Sequence, residues 1–139
     1  MKVFLGGTCN NSKWREKLIP FLNIEYFNPV VKDWTLECQK EEIKQREICD
    51  IVLYTITPKM TGIYSIAEVV DDSNKRPEKT IFLLIENDGK KYSFSKHQLK
   101  SLGSVGKLVE SNGGKVFYID YIENIIEVAN YLNHKRKRV

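Results

Sequence analysis

The sequence is poor in the residues that staple or metallate small domains. Of its 139 residues, three are cysteine and two are histidine. Cys9, Cys38 and Cys49 are odd in number and widely spaced, form no C-x-x-C pair, and have only His97 and His134 as further soft ligands. Neither a disulfide framework nor a zinc site fits that inventory, so the cysteines read as reduced thiols and no metal or other cofactor is expected. Long apolar runs are missing too. Nothing approaches the roughly 20 residues of a membrane helix, and the start from Met1 to Gly6 is far shorter than a signal-peptide core. The expectation is a soluble cytoplasmic protein with no membrane partner. A body-wide excess of positive charge is also lacking. The net charge of +4 comes from 22 basic and 18 acidic residues, and Lys135, Arg136, Lys137 and Arg138 account for all of it. A neutral body argues against a nucleic-acid partner, because such binding draws its affinity from clustered phosphate neutralisation. Residues 135–139 read as a solvated basic tail, with a contact to a partner as the other reading, after a single domain of residues 1–134.

What is present alternates between strand and helix signals. Residues 2–5 form an apolar run that feeds Gly6-Gly7-Thr8, a buried strand leading into a glycine loop. Ser12 is placed to cap a helix bearing Trp14, Leu18, Ile19, Phe21 and Leu22 at helical spacing. A second strand at 24–27 stops at Asn28-Pro29, since the residue before proline is pushed out of helical geometry and proline cannot donate to a ladder. Thr35 caps a mostly exposed helix to about residue 49. Residues 50–56 are β-branched and apolar nearly throughout, as a central parallel strand covered on both faces should be. Ser65 opens the next helix, followed by strands at 80–85 and 116–119 and helices at 97–110 and 121–132.

Five strands alternating with five helices predict a doubly wound α/β domain, a three-layer flavodoxin- or Rossmann-like sandwich with a parallel sheet in the order 2-1-3-4-5. Ligands in such sheets bind beyond the carboxyl ends of the strands, where strand order reverses. That rule selects two loops. One runs from Gly6 to Asn11 and includes Thr8 and Asn10; the other runs from Thr57 to Tyr64 and includes Pro58, Met60 and Gly62 before Ser65.

Within this frame Glu68 is the candidate nucleophile. It falls in the first turn of the helix after the central strand, where the positive helix end favours the ionised form. Ser65-Ile66-Ala67-Glu68 equally fits a capping box, which would tie the carboxylate to its own helix start, and both readings stand at this point. Gly6-Gly7-Thr8 before a helix can hold a phosphate or sugar hydroxyl on backbone N–H groups. The stretch Gly103-Ser104-Val105-Gly106-Lys107 lacks the glycine spacing of a P-loop and follows no strand, so its lysine reads as helix surface. Trp14 and Arg15 open the first helix, and Tyr26, Trp34 and Tyr64 can stack on a base. Asp71-Asp72 reads as a solvated helix end.

Taken in order, five segments resemble the nucleoside 2-deoxyribosyltransferase-like family, in particular its small phage and bacterial forms. They are Val3 to Thr8, Trp14-Arg15 with Ile19-Pro20, Phe27-Asn28-Pro29 with Asp33-Trp34, Cys49 to Tyr54, and Ile66-Ala67-Glu68. The resemblance implies an enzyme of nucleotide salvage in the cytoplasm, or in the host cytoplasm if phage-encoded. Its glutamate, at the position of Glu68, would attack the anomeric carbon of a 2′-deoxynucleoside or its 5′-monophosphate. The base would leave, and the sugar would pass to a second base or to water, the logic of a retaining glycosidase. It further implies that Gly6, Gly7, Thr8, Asn28, Pro29, Asp33 and Trp34 line the sugar and base pocket, and that the protein is a homo-oligomer. This chain departs from the family at Gly62, where the founding transferases carry an aspartate. The alternative is a non-catalytic binder of a nucleotide or NAD-derived metabolite.

Overall fold

Short apolar runs punctuated by glycine and proline give a chain that alternates strand and helix along its length. The computed structural model describes residues 1–9 and 11–135. Its strands are β1 (Lys2–Gly7), β2 (Glu25–Phe27), β3 (Ile51–Ile56), β4 (Thr80–Asn87) and β5 (Lys115–Tyr121). Its α-helices are α1 (Trp14–Leu18), α2 (Leu36–Ile48), α3 (Tyr64–Lys75), α4 (Lys96–Ser111) and α5 (Ile126–His134). Every neighbouring pair of strands is parallel, in the order β2-β1-β3-β4-β5. The expected doubly wound sheet is therefore formed.

Alternation along the central strands builds two cores. Ile51 and Leu53 of β3, with Val3 and Leu5 of β1 and Ile81, Leu83 and Ile85 of β4, pack under Trp14 and Leu18 of α1 and Val128 and Leu132 of α5. Val52, Tyr54 and Ile56 point the other way with Phe4, Phe82 and Leu84, against Val69 of α3 and Leu102 and Val109 of α4. Burial on both faces is why β3 reads as one unbroken apolar run. At roughly 1.5–3 kcal/mol for each fully buried large apolar side chain, these two layers supply the main drive to fold.

Helix α2 is built differently. Thr35 caps it as expected, its Oγ1 accepting from the Cys38 N–H at 3.2 Å. Its apolar residues Leu36, Ile43 and Ile48 face outward, while Gln45 is buried and Glu42 and Arg46 are half-buried. A polar face turned inward indicates that α2 walls a polar space rather than a core.

Helix bounds bring three corrections. Ser12 does not cap α1; its hydroxyl donates to Asp88 at 2.6 Å, and Lys13 occupies the cap position without a side-chain bond. α1 ends at Leu18, and Ile19–Phe21 tighten into a 3-10 turn around Pro20. A 3-10 turn over Ile122–Ile125 likewise precedes α5. Among the described residues no helix is long and apolar enough to cross a membrane. Of the basic tail, Arg136, Lys137 and Arg138 lie outside the described residues.

Candidate functional site

The chain leaves β1 toward β2 on one side and returns through α2 to β3 on the other, which opens a crevice above the carboxyl ends of β1 and β3. Its floor has no side chains. A Cβ at Gly7 would lie 2.0 Å from the Thr55 carbonyl oxygen, and the residue has φ +119°. A Cβ at Gly6 would lie 2.8 Å from the Tyr54 ring. Only glycine fits this close approach of two strands.

Beyond the floor the loop is fixed by hydrogen bonds. The Thr8 N–H donates to the Thr55 carbonyl at 2.9 Å, and Thr8 Oγ1 accepts from the Thr57 N–H at 3.0 Å. From below, Trp14 Nε1 donates to the Thr8 carbonyl at 2.8 Å. The Arg15 guanidinium donates to the carbonyls of Leu5 at 3.0 Å, Thr8 at 2.7 Å and Gly7 at 3.4 Å. Burial pulls Arg15 down to about 10, so it stays cationic at neutral pH.

Two adjoining chambers open over this floor and share Gly7, Cys9 and Ser65. The larger, about 290 Å³, is bounded by Thr8, Met60, Thr61, Gly62 and Tyr64. The smaller, about 110 Å³, is bounded by Phe4, Gly6, Arg15, Pro29, Val30, Glu42 and Glu68. Asn28 is exposed and borders neither chamber; its Oδ1 accepts from the Val30 N–H at 3.1 Å. A third, mostly apolar groove of about 1030 Å³ runs between α3 and α4 and shares Met60 and Tyr64 with the larger chamber. It has no glycine floor, and Asp71 is the one carboxyl among its lining residues.

Glu68 reaches its chamber from the second turn of α3. The helix starts at Tyr64, with Ile63 at the cap position and no side-chain cap bond. Ser65 is thus its second residue and Glu68 its fifth, so the capping box is not formed and the first-turn placement is corrected. The carboxylate instead pairs with Arg46 Nη1 at 3.5 Å, with 17% of its side chain exposed. The expectation that the helix end favours the ionised form is reversed. Burial pushes Glu68 up to about 7 against the pull of Arg46, and Glu42, Asp72 and Asp71 add to the rise.

The small chamber is also lined by Glu42, from the helix α2 that the sequence predicts to be mostly exposed. Burial raises it too, against Arg46 and Arg15. The signal that could have found it is its spacing: Glu42, Gln45 and Arg46 at i, i+3 and i+4 share one helix face. Asp71-Asp72 is not a solvated end either, since Asp72 is fully buried.

The structure brings Gly6, Gly7, Thr8, Arg15, Pro29, Met60, Gly62, Ser65 and Glu68 together around the two chambers. Trp14 is fully buried beneath the loop, and Thr57 is buried as a stitch between loops. Asp33 and Trp34 are exposed, and neither they nor Pro58 borders a chamber. Tyr26 borders a separate depression with Leu22 and Ile24. Asn10 lies outside the described residues.

Residues 1–87 match the sequence model of the nucleoside 2-deoxyribosyltransferase-like family. The chain belongs to that family. The match runs from β1 through β4 and takes in both chambers with Glu42 and Glu68, while α4, β5 and α5 lie beyond it. Membership implies a nucleoside-related ligand. No curated protein and no solved structure matches the chain. Among the described residues, no group of three or more histidine, cysteine, aspartate or glutamate side chains is placed to hold a metal ion.

Proposed function

We propose that the protein cleaves the N-glycosidic bond of a 2′-deoxynucleoside, or of its 5′-monophosphate, and passes the sugar to a second base or to water. The observation that supports this most is the placement of two half-buried carboxyls, Glu68 and Glu42, in one small chamber at the switch point. Burial raises both carboxyls, Glu68 to about 7, and a pair that shares one proton offers one nucleophile and one acid.

In the first step an ionised Glu68 oxygen bonds to C1′ as the bond from C1′ to the base nitrogen breaks. The electron pair leaves with the base, and Glu42 delivers a proton to it. In the second step a new base nitrogen or a water oxygen attacks C1′, Glu68 departs as carboxylate, and Glu42 takes back the proton. Two inversions give net retention. The smaller chamber suits the sugar, and the larger one, bordered by Met60 and Tyr64, suits the base. Glu42 fills the acid role that Gly62 leaves open, which favours turnover over mere retention of a nucleotide.

The test is to incubate the protein with a deoxynucleoside and a different free base and to follow products by chromatography. The expected result is a new nucleoside, and base release that disappears in a folded Glu68→Ala variant. Wild-type turnover by that variant would refute the mechanism.

A further inference from the structure

Behind Glu68 lies a buried ion cluster that the proposed chemistry does not use directly. Arg46 extends from α2 to α3, where its Nε and Nη2 take both carboxylate oxygens of Asp72, at 3.1 and 3.0 Å. Nη2 also meets Asp71 at 3.3 Å. That two-point grip on one edge of a planar guanidinium leaves Nη1 as the free corner, and Nη1 is the atom that meets Glu68 Oε2. Asp72 is itself immobilised, since the Tyr54 hydroxyl donates to its Oδ2 at 2.5 Å and Arg76 Nη1 donates to its Oδ1. The chain of restraint therefore runs from β3 through Asp72 and Arg46 to one oxygen of Glu68.

We propose that Arg46 is a positioning residue for Glu68: pinned by Asp72, it holds Oε2 and sustains the carboxylate charge, leaving Oε1 to face the sugar. This rests on the reading of Glu68 as nucleophile. The groups facing Glu68 are Glu42 and Arg46 from α2, Asp71 and Asp72 from its own helix, Arg15 from α1, Cys9 from the loop after β1, and Tyr54 from β3. Carboxyls outnumber the cations in that set. Arg46 is the cation in contact, and only 12% of its side chain is exposed, so little water can take its place.

The geometry also sets a limit on the help that Arg46 gives. Its contact with Glu68 is longer than its contacts with Asp72, because the aspartate holds the fork back. Asp72 thus keeps Glu68 from being neutralised by a tight ion pair, which would blunt it as a nucleophile.

A purely structural cluster and a tuning device respond differently to two substitutions. Arg46→Gln removes the nearest cation, so the Glu68 midpoint should rise by about one pH unit or more. Turnover at pH 7 should fall about tenfold with KM changed far less, the mark of an interaction felt at the reacting group. Asp72→Asn removes a negative neighbour and releases Arg46 toward Glu68, so the midpoint should fall. The readouts are carbon NMR titration of the Glu68 carboxyl and the pH profile of turnover.

Should Arg46→Gln alone fail to fold around a buried aspartate, the double variant Arg46→Gln/Asp72→Asn removes both charges together. Its Glu68 midpoint is expected above that of Asp72→Asn. Shifts of the same sign in the two single variants, or an unmoved midpoint, overturn the proposal. Opposed shifts in a protein with no turnover would refute the glycosidic reading and leave the Arg46–Glu68 coupling standing. Turnover with unmoved midpoints would do the reverse.

Discussion

Replacing Glu68 by glutamine should make the protein more stable at alkaline pH and leave it little changed in acid. The carboxyl moves from an ordinary 4.5 to about 7 on folding because burial disfavours its charge. A raised folded value means that the folded state holds the proton more tightly than the unfolded chain. Glu68's stabilising contribution is therefore complete below pH 4.5, is lost as pH rises through 7, and is absent above that. At about 1.4 kcal/mol for each pH unit between the two values, the full swing is roughly 3 kcal/mol. With 17% of the side chain open to solvent, screening brings it nearer to about 2 kcal/mol. Glutamine keeps the shape and does not titrate. The assay is urea unfolding of both proteins at pH 4, 6 and 8, reading the difference between them so that pH-independent packing changes cancel. The variant should gain about 2 kcal/mol on the wild type between pH 4 and pH 8. A difference that stays flat across that range, or moves the other way, would show that Glu68 is not a buried carboxyl of the kind described.

Further outcomes follow from the same geometry. Turnover per free enzyme should decline as pH falls below about 7, where Glu68 takes up its proton. Glu42→Gln should lower turnover by about 10²–10⁴-fold with ordinary bases, and much less with an activated base that leaves unprotonated. Gly7→Ala drives a methyl into the Thr55 carbonyl and should cost at least about 3 kcal/mol in urea unfolding. Gly62→Ala, whose methyl would meet nothing within 4 Å, should stay within about 0.5 kcal/mol.

The sheet was legible because its physics is one-dimensional. A strand buried on both faces must be apolar along its length, and β3 declares itself in that way, as do the glycines where β1 presses against it. Helix ends were less legible because hydroxyl patterns are ambiguous. Ser65-x-x-Glu68 and Ser95-x-x-Gln98 share one signature, yet only Ser95 forms a capping box. At Ser65 the loop from Thr57 delivers the chain with Tyr64 already helical, which frees Glu68 to enter the pocket. Ser12 looked like a cap and is instead a tie to Asp88, 76 residues away, a partner that local sequence cannot reveal. Half of the candidate site was hidden for a related reason. Glu42 and Arg46 sit on a helix whose apolar residues face solvent, so the usual rule of apolar side inward points away from the chamber. Asp33 and Trp34 show the converse, since residues that stand out in the sequence lie beyond the rim.

The most direct measurement of the central claim is mass spectrometry of the intact protein after brief exposure to a 2′-deoxynucleoside without an acceptor base. The account predicts a deoxyribosyl adduct that maps to the peptide containing Glu68 and vanishes when a free base is added. Turnover with no adduct, or an adduct on any other residue, would contradict it.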